Sequence, residues 1–359
     1  MLIRVGYVPY SQDLQHPADR RRLAAWAKDK KCELNTSNPL DSDILVLSNE
    51  ANFGYWLKRA KQPVILDLVD GYLGENPNLI RDVLRNIVRS FRGTSSLRWL
   101  TYTRHLRTAC RQSTAIIVAS PEQRELVKKF NPNVFVILDD HSELISEIES
   151  SFPFDNSSVQ QSQNRYVFWE GFGYTLKHFK FIAKDLDRFL DEYNWGMYLV
   201  TVEKFPRWGG YLGEIVTKEL VADIFPRSSK LIQIIPWSIE NLKNFSAKSE
   251  FAVIPISASD KFAAMKSENK LLSMWQLGLP TIFSDIPSYN RVAIAAKQDG
   301  ACVKGANWFQ YLQRMANSTR VNEGMKRESM KYISDTHLHA HLVDKWDEAI
   351  NTVFKGNRT

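Results

Sequence analysis

Short apolar runs alternate with helical patterns twice along this chain, and one polar segment interrupts the alternation. In the first half Leu2–Val8, Asp43–Leu47, Pro63–Val69, Ala115–Ala119 and Val134–Leu138 read as strands. Pro17–Lys30, Gly54–Ala60 and Pro77–Gln112 read as helical, and Ser120 is a natural N-cap with Pro121 at the first helical position. Strands alternating with helices predict a parallel sheet covered on both faces. Residues 146–165 (SEIESSFPFDNSSVQQSQNR) then shift to Ser, Gln and Asn, the composition of an interdomain linker. The alternation restarts with strands Tyr166–Trp169, Met197–Thr201, Leu231–Ile235 and Phe251–Ile256, and helices over Leu176–Tyr193 and near Gly213–Val221. Helices follow from about Trp308, the last being Leu338–Phe354. At 359 residues the chain is long for one core and comfortable for two α/β domains, 1–145 and 166–335.

The run Asp260–Asp285, DKFAAMKSENKLLSMWQLGLPTIFSD, joins a charged loop, an amphipathic helix and a short apolar strand. Lys266 and Lys270 stand four apart where the loop becomes the helix, a spacing that puts two side chains on one helix face. A helix N-terminus attracts anions through its free N–H groups and its dipole. Two ammonium groups there would seat a diphosphate. Gly278 ends the helix, Pro280 blocks its continuation, and Thr281-Ile282-Phe283 enters a buried strand that stops at Ser284-Asp285.

Helix, Gly-x-Pro, then a short strand ending in Ser-Asp resembles the nucleotide-sugar region of GT-B glycosyltransferases, especially the group 1 (GT4-like) enzymes. Tyr166–Gly173 (YVFWEGFG) is similar to that family's first strand and glycine loop, and Ile235-Pro236-Trp237 to its strand-end segment beside the nucleotide base. The EFAVIPI run from Glu250 matches the strand before the phosphate loop, and Ser284–Tyr289 the next βα turn. The resemblance implies two Rossmann-like doubly wound domains facing a central cleft, with a helix over 336–359 packing back on the first. It implies transfer of a sugar from a nucleotide-sugar to a glycan, lipid-linked or protein acceptor, with no metal and no cofactor beyond the co-substrate. Gly171, Gly173, Trp237, Lys266, Ser267, Glu268, Asn269 and Lys270 would bind the donor, Lys270 also countering the charge of the departing diphosphate. Retaining members carry two glutamates eight apart, and counting back from Gly278 those positions fall on Met265 and Ser273. A catalytically degenerate binding protein on the same fold, or an epimerase acting on the nucleotide-sugar, therefore stands beside the transferase reading.

Ligands of open α/β sheets bind outside the carboxyl ends of the strands. In the first half those loops hold Asp13 and His16, Asn49 and Glu50, and Asp67 and Asp70. An inverting transferase needs a carboxylate or imidazole to take the acceptor's proton, and Asp70 and His16 are the leading candidates. Each of these residues alone also reads as a cap or loop hydrogen-bonder.

The formal charge of +7 suits anionic partners without distinguishing among them. Part of it lies in Arg81–Arg111, where Arg81, Arg85, Arg89 and Arg92 recur at helical spacing between apolar residues. A solvated helix face and peripheral contact with an anionic membrane both give that pattern; no nucleic-acid-binding signature accompanies it. Three distant cysteines (Cys32, Cys110, Cys302) provide neither a disulfide framework nor zinc spacing, and His337, His339 and His341 read as a surface cluster. The N-terminal MLIRVGYVPYSQD turns polar too soon for a leader, and no apolar run reaches a spanning length. The expectation is a cytoplasmic protein, peripheral at most on the inner membrane face.

Overall fold

The computed structural model describes residues 3–74, 79–144, 165–207, 213–257, 259–305 and 307–356; all of the expected linker except Arg165 lies outside the described residues. The chain forms two compact units. The first comprises 1–140, 261–267 and 337–359, and the second 141–260 and 268–336.

In the first unit β1 (Val5–Val8), β2 (Leu34–Asn35), β3 (Ile44–Ser48), β4 (Val64–Leu68), β5 (Ala115–Val118) and β6 (Val134–Val136) form one parallel sheet, ordered β2-β1-β3-β4-β5-β6. Strand side chains alternate between faces, and here both faces are apolar. Val5, Tyr7, Ile44, Val46, Ile65 and Ile117 pack on one side with Leu23, Trp26, Trp346 and Ile350. Leu45, Leu47, Leu66, Ile116 and Val118 pack on the other with Phe53, Tyr102 and Leu106.

The second unit holds β7 (Tyr166–Glu170), β8 (Gly196–Thr201), β11 (Ile232–Pro236), β12 (Phe251–Ile254), β13 (Thr281–Ser284) and β14 (Cys302–Val303), parallel in the order β11-β8-β7-β12-β13-β14. An antiparallel ribbon of β9 (Lys204–Pro206) and β10 (Glu214–Val216) stands apart. Counted within the sheet, this is the doubly wound 3-2-1-4-5-6 order, whose direction reverses between β7 and β12.

Several expected helices are divided. Pro17–Lys30 becomes Pro17–Arg20 and Leu23–Asp29. Between them Arg22 leaves helical geometry (φ −129, ψ −114), and its buried guanidinium is held by Asp67. Pro77–Gln112 becomes Leu79–Phe91 and Tyr102–Gln112, interrupted near Gly93, whose φ of +75 favours glycine. The second of these helices presents His105 to a buried polar chain. Gly54 N–H donates to its Nε2 (3.1 Å), which leaves the proton on Nδ1 to reach Ser95 Oγ (2.8 Å), and Ser95 donates to Asn86 (2.6 Å).

Burial and the nearby Arg89 charge pull the His105 pKa down to about 4. The unfolded chain's histidine takes up a proton near pH 6.5, the folded one only near pH 4, so stability is full above the first value and declines as pH falls toward the second. The slope is about 1.4 kcal/mol per pH unit, or roughly 3 kcal/mol across the window. Urea midpoints at several pH values should show this acid-side loss in the parent and a flatter profile in His105→Asn. Parallel profiles would remove His105 as its source.

Candidate functional site

In the second unit the winding reverses between β7 and β12, and the loops at their carboxyl ends hold the candidate donor groups. The helix Asn269–Gln276 begins there with Glu268 as its cap residue. Lys270, in its first turn, lays its ammonium 4.7 Å from the centre of the Trp169 ring, donates to the Glu170 carbonyl and stands 3.8 Å from the Glu170 carboxylate. Gly171 makes this approach possible. A Cβ there would lie 2.6 Å from Lys270 Nζ and 2.9 Å from the Trp169 ring, and its φ of +154 also favours glycine. The result is a partly exposed cation at the end of β7, where the backbone has no side chain to shield it.

The other expected donor residues are distributed around that edge. Gly173 is explained by packing: a Cβ there would meet the Phe205 ring at 2.2 Å. Trp237 follows β11, is 37% exposed, and is braced by Asn241 Nδ2 donating to Pro236 O (2.8 Å) and by the Ser238 cap. Glu268 is buried and accepts from Arg291 Nη2 (2.8 Å); Asn269 lends its carbonyl to Ser273 Oγ (2.9 Å).

Lys266 departs from the expected arrangement. The helix starts three residues after it, so Lys266 and Lys270 do not share a helix face. Lys266 and Ser267 belong to the first unit, and Lys270 to the second. Tertiary contacts override the helical spacing. Met265 packs against Gly71 and Gly74, where a Cβ would lie 2.7 Å from its side chain, and its carbonyl accepts from Gln123 Nε2 (3.2 Å). The two positions expected for glutamates are thus a packed Met265 and a buried Ser273, whose hydroxyl meets His141 Nδ1 at 3.1 Å. His141 and Arg291 escaped the sequence reading, since nothing local ties them to partners 132 and 23 residues away.

Within the first unit the carboxyl-edge candidates separate by what they already hold. His16 caps the Pro17–Arg20 helix through Nδ1 (3.2 Å from Ala18 N) and stacks on Tyr10. Asp13 accepts from Gln15 N (3.0 Å), Asn49 accepts from Tyr102 OH, Glu50 pairs with Arg89 (3.0 Å), and Asp67 is locked to Arg22. Asp70 differs. Half-buried, its carboxylate has no hydrogen-bond partner among the described residues; burial pushes its pKa up while the Lys266 charge acts in the opposite direction. Asp70 and His16 follow β4 and β1, which are separated by β3. Among the described residues no group of His, Cys, Asp or Glu is placed to hold a metal ion, and no helix is long and apolar enough to cross a membrane.

No protein-family model and no curated protein sequence matches the chain. Solved structures do. S. aureus TarM in complex with UDP aligns with a TM-score of 0.57 at 10% identity, over 86% of this chain and 55% of TarM. Anabaena HepE in complex with UDP aligns with a TM-score of 0.57 at 11% identity, over 91% and 82% of the two chains. A UDP-forming α,α-trehalose-phosphate synthase from Burkholderia vietnamiensis aligns with a TM-score of 0.56 at 9% identity, over 93% and 74%. The chain spans about 55% of the length of TarM. At these identities the likeness is one of fold, and the fold is that of the GT-B glycosyltransferases, built from two Rossmann-like units.

Proposed function

We propose that this chain is a glycosyltransferase that takes its sugar from a nucleoside diphosphate donor of the UDP type. The observation that carries the reading is Lys270, a partly exposed ammonium held against a glycine-only position where the winding of the second sheet reverses. Three neighbours of this fold are a TarM and a HepE crystallised with UDP and a UDP-forming synthase, which favours uridine over other bases. In this reading the diphosphate lies at the start of the Asn269–Gln276 helix, and Trp237 offers its exposed ring to the base. As the glycosidic bond breaks, negative charge grows on the leaving diphosphate, and Lys270 with the helix N-terminus stabilises it. Charge stabilisation of this kind is usually the largest single term in catalysis.

Asp70 is our choice for the acceptor hydroxyl, because the other carboxylate candidates, Asp13, Glu50 and Asp67, are already committed to a backbone hydrogen bond or to ion pairs. His16 is the weaker candidate, since its Nδ1 serves as a cap. Glucose, N-acetylglucosamine and hexuronate donors carried on UDP, offered with mono- and oligosaccharide or lipid-linked acceptors, form the test panel. UDP release coupled to a new glycoside is the expected result. Met265 and Ser273 at the family's acidic positions favour a second reading, a binding protein that has lost the chemistry. UDP binding with no turnover across the panel would select it, and a changed donor sugar without transfer would identify an epimerase.

A further inference from the structure

The helix Leu79–Phe91 docks on the first unit with its polar side. Asp82 accepts from Thr103 N (3.2 Å), Asn86 donates to Ser96 O (3.2 Å), and Arg89 pairs with Glu50 (3.0 Å) over the Tyr102 ring. Arg89, expected in an outward basic stripe, therefore faces the fold. The outward side is apolar. Ile80, Leu84, Ile87 and Phe91 recur at i, i+4, i+7 and i+11, one stripe, and three of them are 69%, 48% and 79% exposed. Leu79, Leu97 and Leu100 extend it at 63%, 65% and 63% exposure. A globular helix ordinarily turns its apolar stripe inward; this one is inverted, and an exposed apolar patch of this extent marks an interaction site.

A second feature adjoins it. Between this helix and Tyr102–Gln112 lies an open hollow of about 550 Å³, whose lining includes Leu79, Trp99, Arg104, Arg107 and Arg111 together with Asp82, the carboxylate that accepts from Thr103 N. Arg92, Arg98 and Arg104 are exposed and have no carboxylate partner among the described residues. The surface thus pairs an apolar stripe with cations at its margin.

We propose that this face seats on an anionic phospholipid bilayer, with Ile80, Leu84 and Phe91 in the acyl boundary and the arginines among the headgroup phosphates. A stripe flanked by cations is the signature of an interfacial helix. Each cation close to an anionic leaflet strengthens attachment by about fivefold. A second copy of the chain is the poorer occupant, because a two-fold contact would set the same arginines against one another. This inference is independent of the donor site, since it rests on neither Lys270 nor Asp70.

Co-sedimentation of the full chain with vesicles of phosphatidylglycerol and phosphatidylcholine, or of phosphatidylcholine alone, tests it. Binding should require phosphatidylglycerol and weaken as salt shortens the screening length to a few ångströms. Ile80→Asp/Phe91→Asp should lower binding at least tenfold; both sites are exposed, so the fold has little to lose. Phe91→Trp in an otherwise unchanged chain should shift its emission to the blue with anionic vesicles and not with neutral ones. Equal binding to both vesicle types, no binding to either, or a Phe91→Trp emission unmoved by anionic vesicles would overturn the proposal. Sedimentation velocity supplies the remaining arm: a dimer that Ile80→Asp/Phe91→Asp converts to a monomer would assign the stripe to self-association instead.

Discussion

Arg22→Met should destabilise the chain by about 3–5 kcal/mol, the cost of breaking one side of a buried ion pair. The Arg22 and Asp67 side chains are both fully buried. Nε lies 3.1 and 2.9 Å from the two Asp67 oxygens, and Nη2 lies 2.6 Å from one of them. Nη1 donates to Ile137 O at 2.8 Å and to Asp139 at 3.0 Å. Burial pushes the Asp67 pKa up even with the guanidinium in place. Without it the carboxylate must be buried unpaired or take up a proton. Arg22→Lys keeps one charge but loses the planar fork, so it should fall between the parent and Arg22→Met. Arg22→Met/Asp67→Leu should recover part of the loss, because the uncompensated carboxylate leaves with its partner. Urea unfolding followed by tryptophan emission reports the difference, with Trp26 and Trp346 in the core on the same side of this sheet. A penalty below about 1 kcal/mol for Arg22→Met would place the pair among ordinary surface contacts.

Lys270→Ala should have the largest effect on chemistry. One charge-assisted contact is worth roughly 1.5–3 kcal/mol, so affinity for a nucleoside diphosphate should fall about tenfold to a hundredfold. Turnover should fall further, by about another hundredfold, because the leaving group gains its charge only in the transition state. The KM effect is thus the smaller of the two. Lys266→Ala should weaken binding less, since Lys266 is not on the Asn269–Gln276 helix. Steady-state rates at saturating donor separate these outcomes. A loss confined to KM would mean that Lys270 holds the ground state alone.

How much of this was legible depends on whether the signal was local. Strands buried on both faces, such as Ile44–Ser48, Val64–Leu68 and Gly196–Thr201, read as continuous apolar runs and stood out in the sequence. The Ser120 cap, with Gln123 N donating to its hydroxyl at 3.2 Å, and the Gly278 terminus, at φ +73, were equally plain because backbone chemistry demands them. Leu34–Asn35 and Cys302–Val303 were missed as strands: two residues carry no period, and only pairing makes them strands. Arg22 falls inside the expected Pro17–Lys30 helix with no local sign of its role, and its partner lies 45 residues on. Helical spacing put Lys266 and Lys270 on one face, but the helix starts only at Asn269, and Met265 packs against Gly71 and Gly74. In the arginine-rich stretch, periodicity revealed an amphipathic helix but could not say which side faces the fold. Asp82, Asn86 and Arg89 settled that through partners outside the helix.

In the proposed function the carboxyl edge of the second sheet binds a nucleoside diphosphate through Lys270. Calorimetric titration of the parent and Lys270→Ala with UDP and with uridine tests it most directly. UDP binding by the parent, a roughly tenfold to hundredfold loss in Lys270→Ala, and uridine affinity unchanged between the two are the expected results. No UDP binding by the folded parent, or equal UDP affinity in both proteins, would contradict it.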